Sequence, residues 1–124
     1  MSQWPDDTIH AFAASNDLHV APFRPDGVTP GTPTWVWSVV VDDRLFVRPW
    51  HGLDSRWYGA AIKQRAGQIT VDGVTFDVNY AQLRDAKLSD RIDAAYSKKY
   101  ADSHYLAPMI DGGPKEATVE ITPA

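Results

Sequence analysis

Apolar and polar positions recur along the chain at two periods, one helical and one of two residues, and the switches between them outline the elements. Ile9, Phe12 and Ala13 repeat at helical spacing behind Pro5, which suits a first helical position, while Asp6 and Asp7 favour the positive end of a helix dipole. This predicts a helix ending near Ser15-Asn16. Leu18 to Phe23 has strand character, and Pro25-Asp26-Gly27 follows as a turn signal. Gly27 to Pro33, rich in glycine and proline, reads as an irregular lead into the next element.

From Trp35 to Trp50 the pattern is a hairpin: Trp35, Trp37, Val39 and Val41 alternate with Val36, Ser38 and Val40, and Asp42-Asp43 turns the chain into Arg44-Leu45-Phe46-Val47-Arg48. A helix is expected over Ser55 to Arg65, with Asp54 or Ser55 as its N-cap and Gly67 as its stop. Gln68 to Val71 and Val74 to Tyr80 flank Asp72-Gly73, a strong hairpin signal. Leu88, Ile92, Ala95, Tyr96 and Tyr100 fall on one side of a helix over about Ser89 to Tyr100. Pro108 and Asp111-Gly112-Gly113-Pro114 break the chain before a last strand, Ala117 to Thr122. Both faces of the strand after Trp35 are apolar, so one must line a core and the other must be covered. An α+β barrel of about six mostly antiparallel strands with two to three packed helices satisfies this, and the 124 residues suit one domain over 1–124.

Composition narrows the picture. An apolar content of 44% with five tryptophans argues against disorder. The run from Trp35 to Val41, interrupted by Ser38, is far too short to cross a bilayer, so no membrane partner is expected. The start, Met1-Ser2-Gln3-Trp4-Pro5-Asp6-Asp7, has no apolar signal core, which points to the cytoplasm. The chain has no cysteine, which removes disulfides and thiolate chemistry. Its formal net charge of −4 makes nucleic acid a poor partner.

Candidate chemistry gathers after the central hairpin. A helical step of about 100° places Arg56, Gly59 and Lys63 on one face, with Ser55 at the helix start, a plausible phosphate cradle. Arg48 lies on the strand face of Phe46 and Trp50 and could point toward the same mouth. The alternative is a solvated basic face behind an ordinary serine cap. Trp35, Trp37, Trp50 and Trp57 could stack on a flat aromatic ligand, or simply fill a core. His10, His19, His51 and His104 lack the spacing of a metal site, so no metal is expected. His51 alone leads into the basic helix and reads either as a site residue or as a loop histidine in water. Asp90 and Asp93 are accounted for as first-turn acids of a helix. Tyr105 to Ile110 is an apolar run that reads as a lid, a patch docking a second subunit, or a segment buried on its own barrel. Phosphate-loop, nucleophile-elbow and metalloprotease motifs are absent, so catalytic residues are not identified.

Gly31-Thr32-Pro33-Thr34-Trp35-Val36-Trp37-Ser38-Val39-Val40-Val41, then Leu45-Phe46-Val47-Arg48, Ser55-Arg56-Trp57-Tyr58 and Tyr105-Leu106-Ala107-Pro108-Met109 resemble a bacterial domain-of-unknown-function family. That family is placed with the FMN-binding split-barrel proteins, among them relatives of the deazaflavin-dependent nitroreductases. The resemblance implies a split β-barrel and a flavin- or deazaflavin-binding oxidoreductase acting on a small organic molecule. Arg48, Ser55, Arg56 and Lys63 would then lie on the cofactor's phosphate, with Trp35, Trp37 or Trp50 near its ring and a homodimer as the assembly. The cofactor would carry the electron transfer, so a missing acid-base set does not exclude an enzyme. Lys63-Gln64-Arg65-Ala66-Gly67 replaces the Asn-Pro pair of many relatives, which favours a competing reading: a non-catalytic small-ligand-binding or homodimeric module without cofactor.

Overall fold

The computed structural model describes residues 3–110 and 112–124. Its elements run α1 (Asp6–Ala14), β1 (Leu18–Pro22), β2 (Thr34–Val36), β3 (Ser38–Val41), β4 (Arg44–Val47), α2 (Arg56–Gln64), β5 (Ala66–Val71), β6 (Val74–Gln82), α3 (Ala86–Lys99), α4 (Leu106–Met109), α5 (Gly112–Glu116) and β7 (Val119–Pro123), with a 3-10 turn at Gly52–Asp54. All strand pairs are antiparallel, in the order β2-β1-β5-β6-β7-β4-β3. The two outermost strands, β2 and β3, are separated in sequence by Trp37 alone. They are halves of one interrupted strand, so the sheet nearly closes on itself, leaving little open edge. Counted as one, they reduce the sheet to the expected six strands, and the architecture is an α+β split barrel.

Local chemistry explains both tight hairpins. Asp42 (φ 55°) and Asp43 (φ 59°) turn β3 into β4, and Asp72 (φ 50°) and Gly73 (φ 84°) turn β5 into β6. Positive φ at both central residues matches the right-handed twist of the flanking strands, and aspartate and glycine tolerate it best.

The interior holds Leu18, Val20, Leu45, Val47, Ile69, Val78, Tyr80, Val119 and Ile121, with α1 adding Ile9 and Phe12 and α2 adding Tyr58 and Ala61. Trp4, Phe12 and Phe76 meet edge to face, with centroids 4.8 to 5.7 Å apart. The outer face of the β3–β4 hairpin, Val39, Val41 and Phe46, is covered by Leu88, Ile92 and Tyr96 of α3 and by Met109. The two-faced hairpin thus lines one core and is capped by a second, as its sequence requires.

Three expectations are corrected. The helix after Gln82 starts at Ala86, three residues earlier than its apolar periodicity suggests, because Asp85 caps it by accepting from the Leu88 N–H (3.1 Å). The left-handed residue ending α2 is Arg65 (φ 60°), not Gly67. Gly67 is instead a point of close approach in β5: a Cβ there would lie 2.6 Å from the Ala21 carbonyl oxygen and from the Pro22 Cα. The stretch from Leu106 to Glu116, expected as loop, forms two short helices with Pro108 and Pro114 inside them. Asp111 of the expected breaker cluster, like Met1 and Ser2, lies outside the described residues. Among the described residues, no helix is long and apolar enough to cross a membrane.

Candidate functional site

The strand interruption at Trp37 borders a concavity. From α3, the Tyr96 hydroxyl donates to the Trp37 carbonyl (2.9 Å), and the Tyr100 hydroxyl accepts from the Ser38 N–H (3.2 Å) and lies 3.3 Å from the Ser38 carbonyl. Lys99 Nζ donates to the carbonyls of Ser15 (2.5 Å) and Ser38 (2.8 Å). These bonds take over backbone groups at the break, so β2 can leave the line of β3 with those groups satisfied, although the buried Ser38 Oγ there has no partner among the described residues. The Trp37 indole lies flat on the Tyr100 ring, with centroids 4.1 Å apart and planes 2° from parallel. Partial burial, offset only in part by the charge of Asp72, pushes the Lys99 ammonium down to about 8, and burial pushes the Tyr96 hydroxyl up.

Beside this break lies a cleft of about 590 Å³. β2 and the break supply Trp35, Val36 and Trp37; the chain leaving β4 supplies Arg48, Trp50 and His51; the start of α2 supplies Ser55 and Trp57; and the segment after α3 supplies Ser103, Tyr105 and Met109. Trp35 is 52% exposed, Trp50 45% and Tyr105 62%, so the rim keeps large apolar surface in water. The Trp35 indole N–H donates to the Asn16 carbonyl (2.8 Å), and Trp50 meets Tyr105 edge to face at 5.4 Å. The lining is therefore aromatic, suited to a flat ring.

Of the residues singled out in the sequence, Trp37, Trp50, Ser55 and Arg48 line this cleft, as do His51, Trp35 and Trp57, while Arg56 and Lys63 do not. The reason is the amphipathicity of α2. Trp57, Tyr58, Ala61 and Ile62 pack against the barrel core, which turns Arg56, Gly59 and Lys63 outward, and Arg56 and Lys63 are exposed. Gly59 faces open space: a Cβ there would meet nothing within 4 Å. Ser55 caps α2, its Oγ accepting from the Tyr58 N–H at 3.5 Å, the outer limit of a hydrogen bond.

Arg48 is fully buried, and its guanidinium is engaged on every side. Nε donates to Thr118 Oγ1 (2.9 Å), Nη1 to Asp93 Oδ1 (2.5 Å) and the Met109 carbonyl (2.9 Å), and Nη2 to the Ser89 carbonyl (3.1 Å) and Oγ (3.2 Å). Asp93 Oδ2 accepts from Lys115 Nζ (2.6 Å), which also donates to Asp90 Oδ1 (2.9 Å). Asp90 and Asp93 therefore lie beyond the first turn of α3 and latch α5 and the cleft wall to the barrel, a role that dipole stabilisation alone did not suggest. The Tyr105 to Ile110 run divides: Tyr105 lines the cleft, Leu106 and Ile110 pack into the outer core, and Met109 belongs to both. Among the described residues, no group of three or more His, Asp or Glu side chains is placed to hold a metal ion.

The fold recurs in the crystal structure of the conserved hypothetical protein Rv2991 from Mycobacterium tuberculosis, at 16% identity and a TM-score of 0.69 over 99% of this chain and 81% of that one. At that identity the likeness is one of fold. No curated protein matches the chain. A family profile described as an uncharacterized protein conserved in bacteria (DUF2255) matches residues 8–121, and the chain belongs to that bacterial family.

Proposed function

We propose that this protein is a small-molecule-binding barrel whose aromatic cleft takes a planar conjugated ring, with the indoles of Trp37 and Trp50 against its faces. The observation that carries this reading is the cleft itself: about 590 Å³, lined by Trp35, Trp37, Trp50 and Trp57, with partly exposed indoles at its rim. Large aromatic surface left in water inside a concavity gains by covering a ring, at about 25 cal/mol per Å² buried.

The resemblance to FMN-binding split barrels extends the proposal to a flavin or deazaflavin, and with it to oxidoreductase chemistry. The two ends of such a cofactor fare differently here. A tricyclic ring suits the indoles, but the lining cation Arg48 has its donors occupied, and Arg56 and Lys63 stand outside. The phosphate end does not fit, and no redox step is derived. That mismatch favours the second reading, a ligand-binding or homodimeric module without catalysis.

The visible spectrum of freshly purified protein, followed by tryptophan-fluorescence titration with riboflavin and with the deazaflavin coenzyme, tests the proposal. Saturable quenching that weakens at least about tenfold, or about 1.4 kcal/mol, in Trp50→Ala is expected. Colourless protein with no quenching by either ligand removes the flavin reading, and sedimentation of the same samples tests for the homodimer.

A further inference from the structure

We infer that the cleft selects uncharged planar ligands and discriminates against phosphorylated or carboxylated ones, because the cation at its floor is a structural ion with nothing left to donate. The inference rests on the cleft being a ligand site. A guanidinium carries five N–H donors. Arg48 spends them on Thr118 Oγ1, Asp93 Oδ1, the Met109 carbonyl and both oxygens of Ser89. Its side chain is 0% exposed. An anion could recruit it only by displacing one of these acceptors, the nearest of them a carboxylate 2.5 Å away.

Among the described residues, the charges around Arg48 cancel. Arg48 and Lys115 stand against Asp93 and Asp90, joined by contacts of 2.5 to 2.9 Å. Apart from His51 and the indole N–H groups, the remaining polar lining is neutral hydroxyl. Thr34 Oγ1 donates to the Thr32 carbonyl (3.3 Å), Ser103 Oγ accepts from the Tyr105 N–H (3.1 Å) and Ser55 Oγ from the Tyr58 N–H (3.5 Å). Ser55 and Ser103 each keep an O–H to offer a carbonyl, imide or hydroxyl of a neutral ring system. An anion entering among the indoles loses hydration with no free cation to replace it, whereas a neutral ring loses little. His51 is the one lining imidazole, and it is exposed to solvent.

The test is calorimetric titration of the full chain, wild type and His51→Asn, with two pairs of probes differing only in charge. The first pair is riboflavin and its phosphate ester FMN, and the second is 2-naphthamide and 2-naphthoate. Riboflavin is expected to bind at least as tightly as FMN, and the amide about tenfold more tightly than the acid, in both proteins. FMN binding more than about threefold tighter than riboflavin, or naphthoate tighter than naphthamide in both proteins, overturns the inference while leaving the cleft a ligand site. The same reversal in wild type alone also overturns it, since His51 would then be a cation the cleft offers. If only one pair binds, that pair decides. If no probe binds, the ligand-site reading fails and this inference with it.

Discussion

Two aromatic clusters in this molecule do opposite things. Trp4, Phe12 and Phe76 interlock edge to face at the barrel core, where Trp4 is 8% and Phe12 2% exposed, and the Trp4 indole N–H is satisfied by the Ile121 carbonyl (2.9 Å). Trp35, Trp50 and Tyr105 also sit near one another, yet each is about half in water and they wall a cleft. The first cluster contributes to stability through area removed from solvent and through ring-edge contacts worth about 0.5–1.5 kcal/mol each. The second leaves comparable area uncovered, which lowers its contribution to folding and keeps it available for a ligand. The cations divide the same way: Arg48 is buried and fully bonded, whereas Arg56 and Lys63 stand in solvent.

Substitutions can break that comparison. Phe12→Ala should cost about 3–5 kcal/mol in urea denaturation, the range for emptying a buried aromatic site, while leaving cleft affinity per folded molecule unchanged. Arg48→Ala should cost about as much, about 3–5 kcal/mol, because Asp93 loses a buried partner and four other acceptors lose donors. Arg56→Ala should stay within about 0.5 kcal/mol of wild type. A mild Arg48 variant that had lost a phosphorylated ligand would reverse the assignment of the two cations.

Gly67→Ala should cost about 1–3 kcal/mol, since the new methyl would meet backbone at 2.6 Å in a sheet that cannot easily spread. Trp50→Ala should change stability by less than about 0.5–1 kcal/mol while weakening a ring ligand about tenfold, the pattern of a site residue rather than a core one.

A pH dependence of stability is also expected. Lys99 titrates near 8 in the folded protein, against about 10.4 for an unfolded lysine. Between those values the unfolded chain holds more protons, so stability should rise with pH from about 8 toward 10. Partial solvent exposure limits the gain to about 1 kcal/mol. Burial raises the Tyr96 hydroxyl, so its folded form keeps a proton that the unfolded chain loses near 10, and stability should fall beyond that point. Urea midpoints across this range should show the rise in wild type and lose it in Lys99→Met.

Much of the fold is legible because its signals are local. The hairpin turns at Asp42-Asp43 and Asp72-Gly73, the proline and acids that open α1, the cap at Ser55, and the two-faced pattern of the central hairpin each act within a few residues. Of the candidate site, the tryptophans, Ser55 and His51 could be read as a cluster because they follow one hairpin closely in sequence. The roles of Arg48 and Asp93 could not. The partners of Arg48 lie 41 to 70 residues away, and an acid near a predicted helix start already has a sufficient local explanation. The interruption at Trp37 was hidden as well, since the apolar alternation passes through it without a glycine or proline.

By itself, then, the order of residues determined the periods, turns and caps, and through them an α+β barrel with a helix crossing after its middle hairpin. Only the tertiary structure decided which aromatics are core and which are wall, and which cations are bonded and which are free. The reason is that propensity and periodicity act over one or two turns of chain, whereas burial and ion pairing depend on which distant segment arrives opposite. At Trp37 the arriving segment is α3, whose phenols and ammonium take over the backbone groups at the break and so permit the cleft to form.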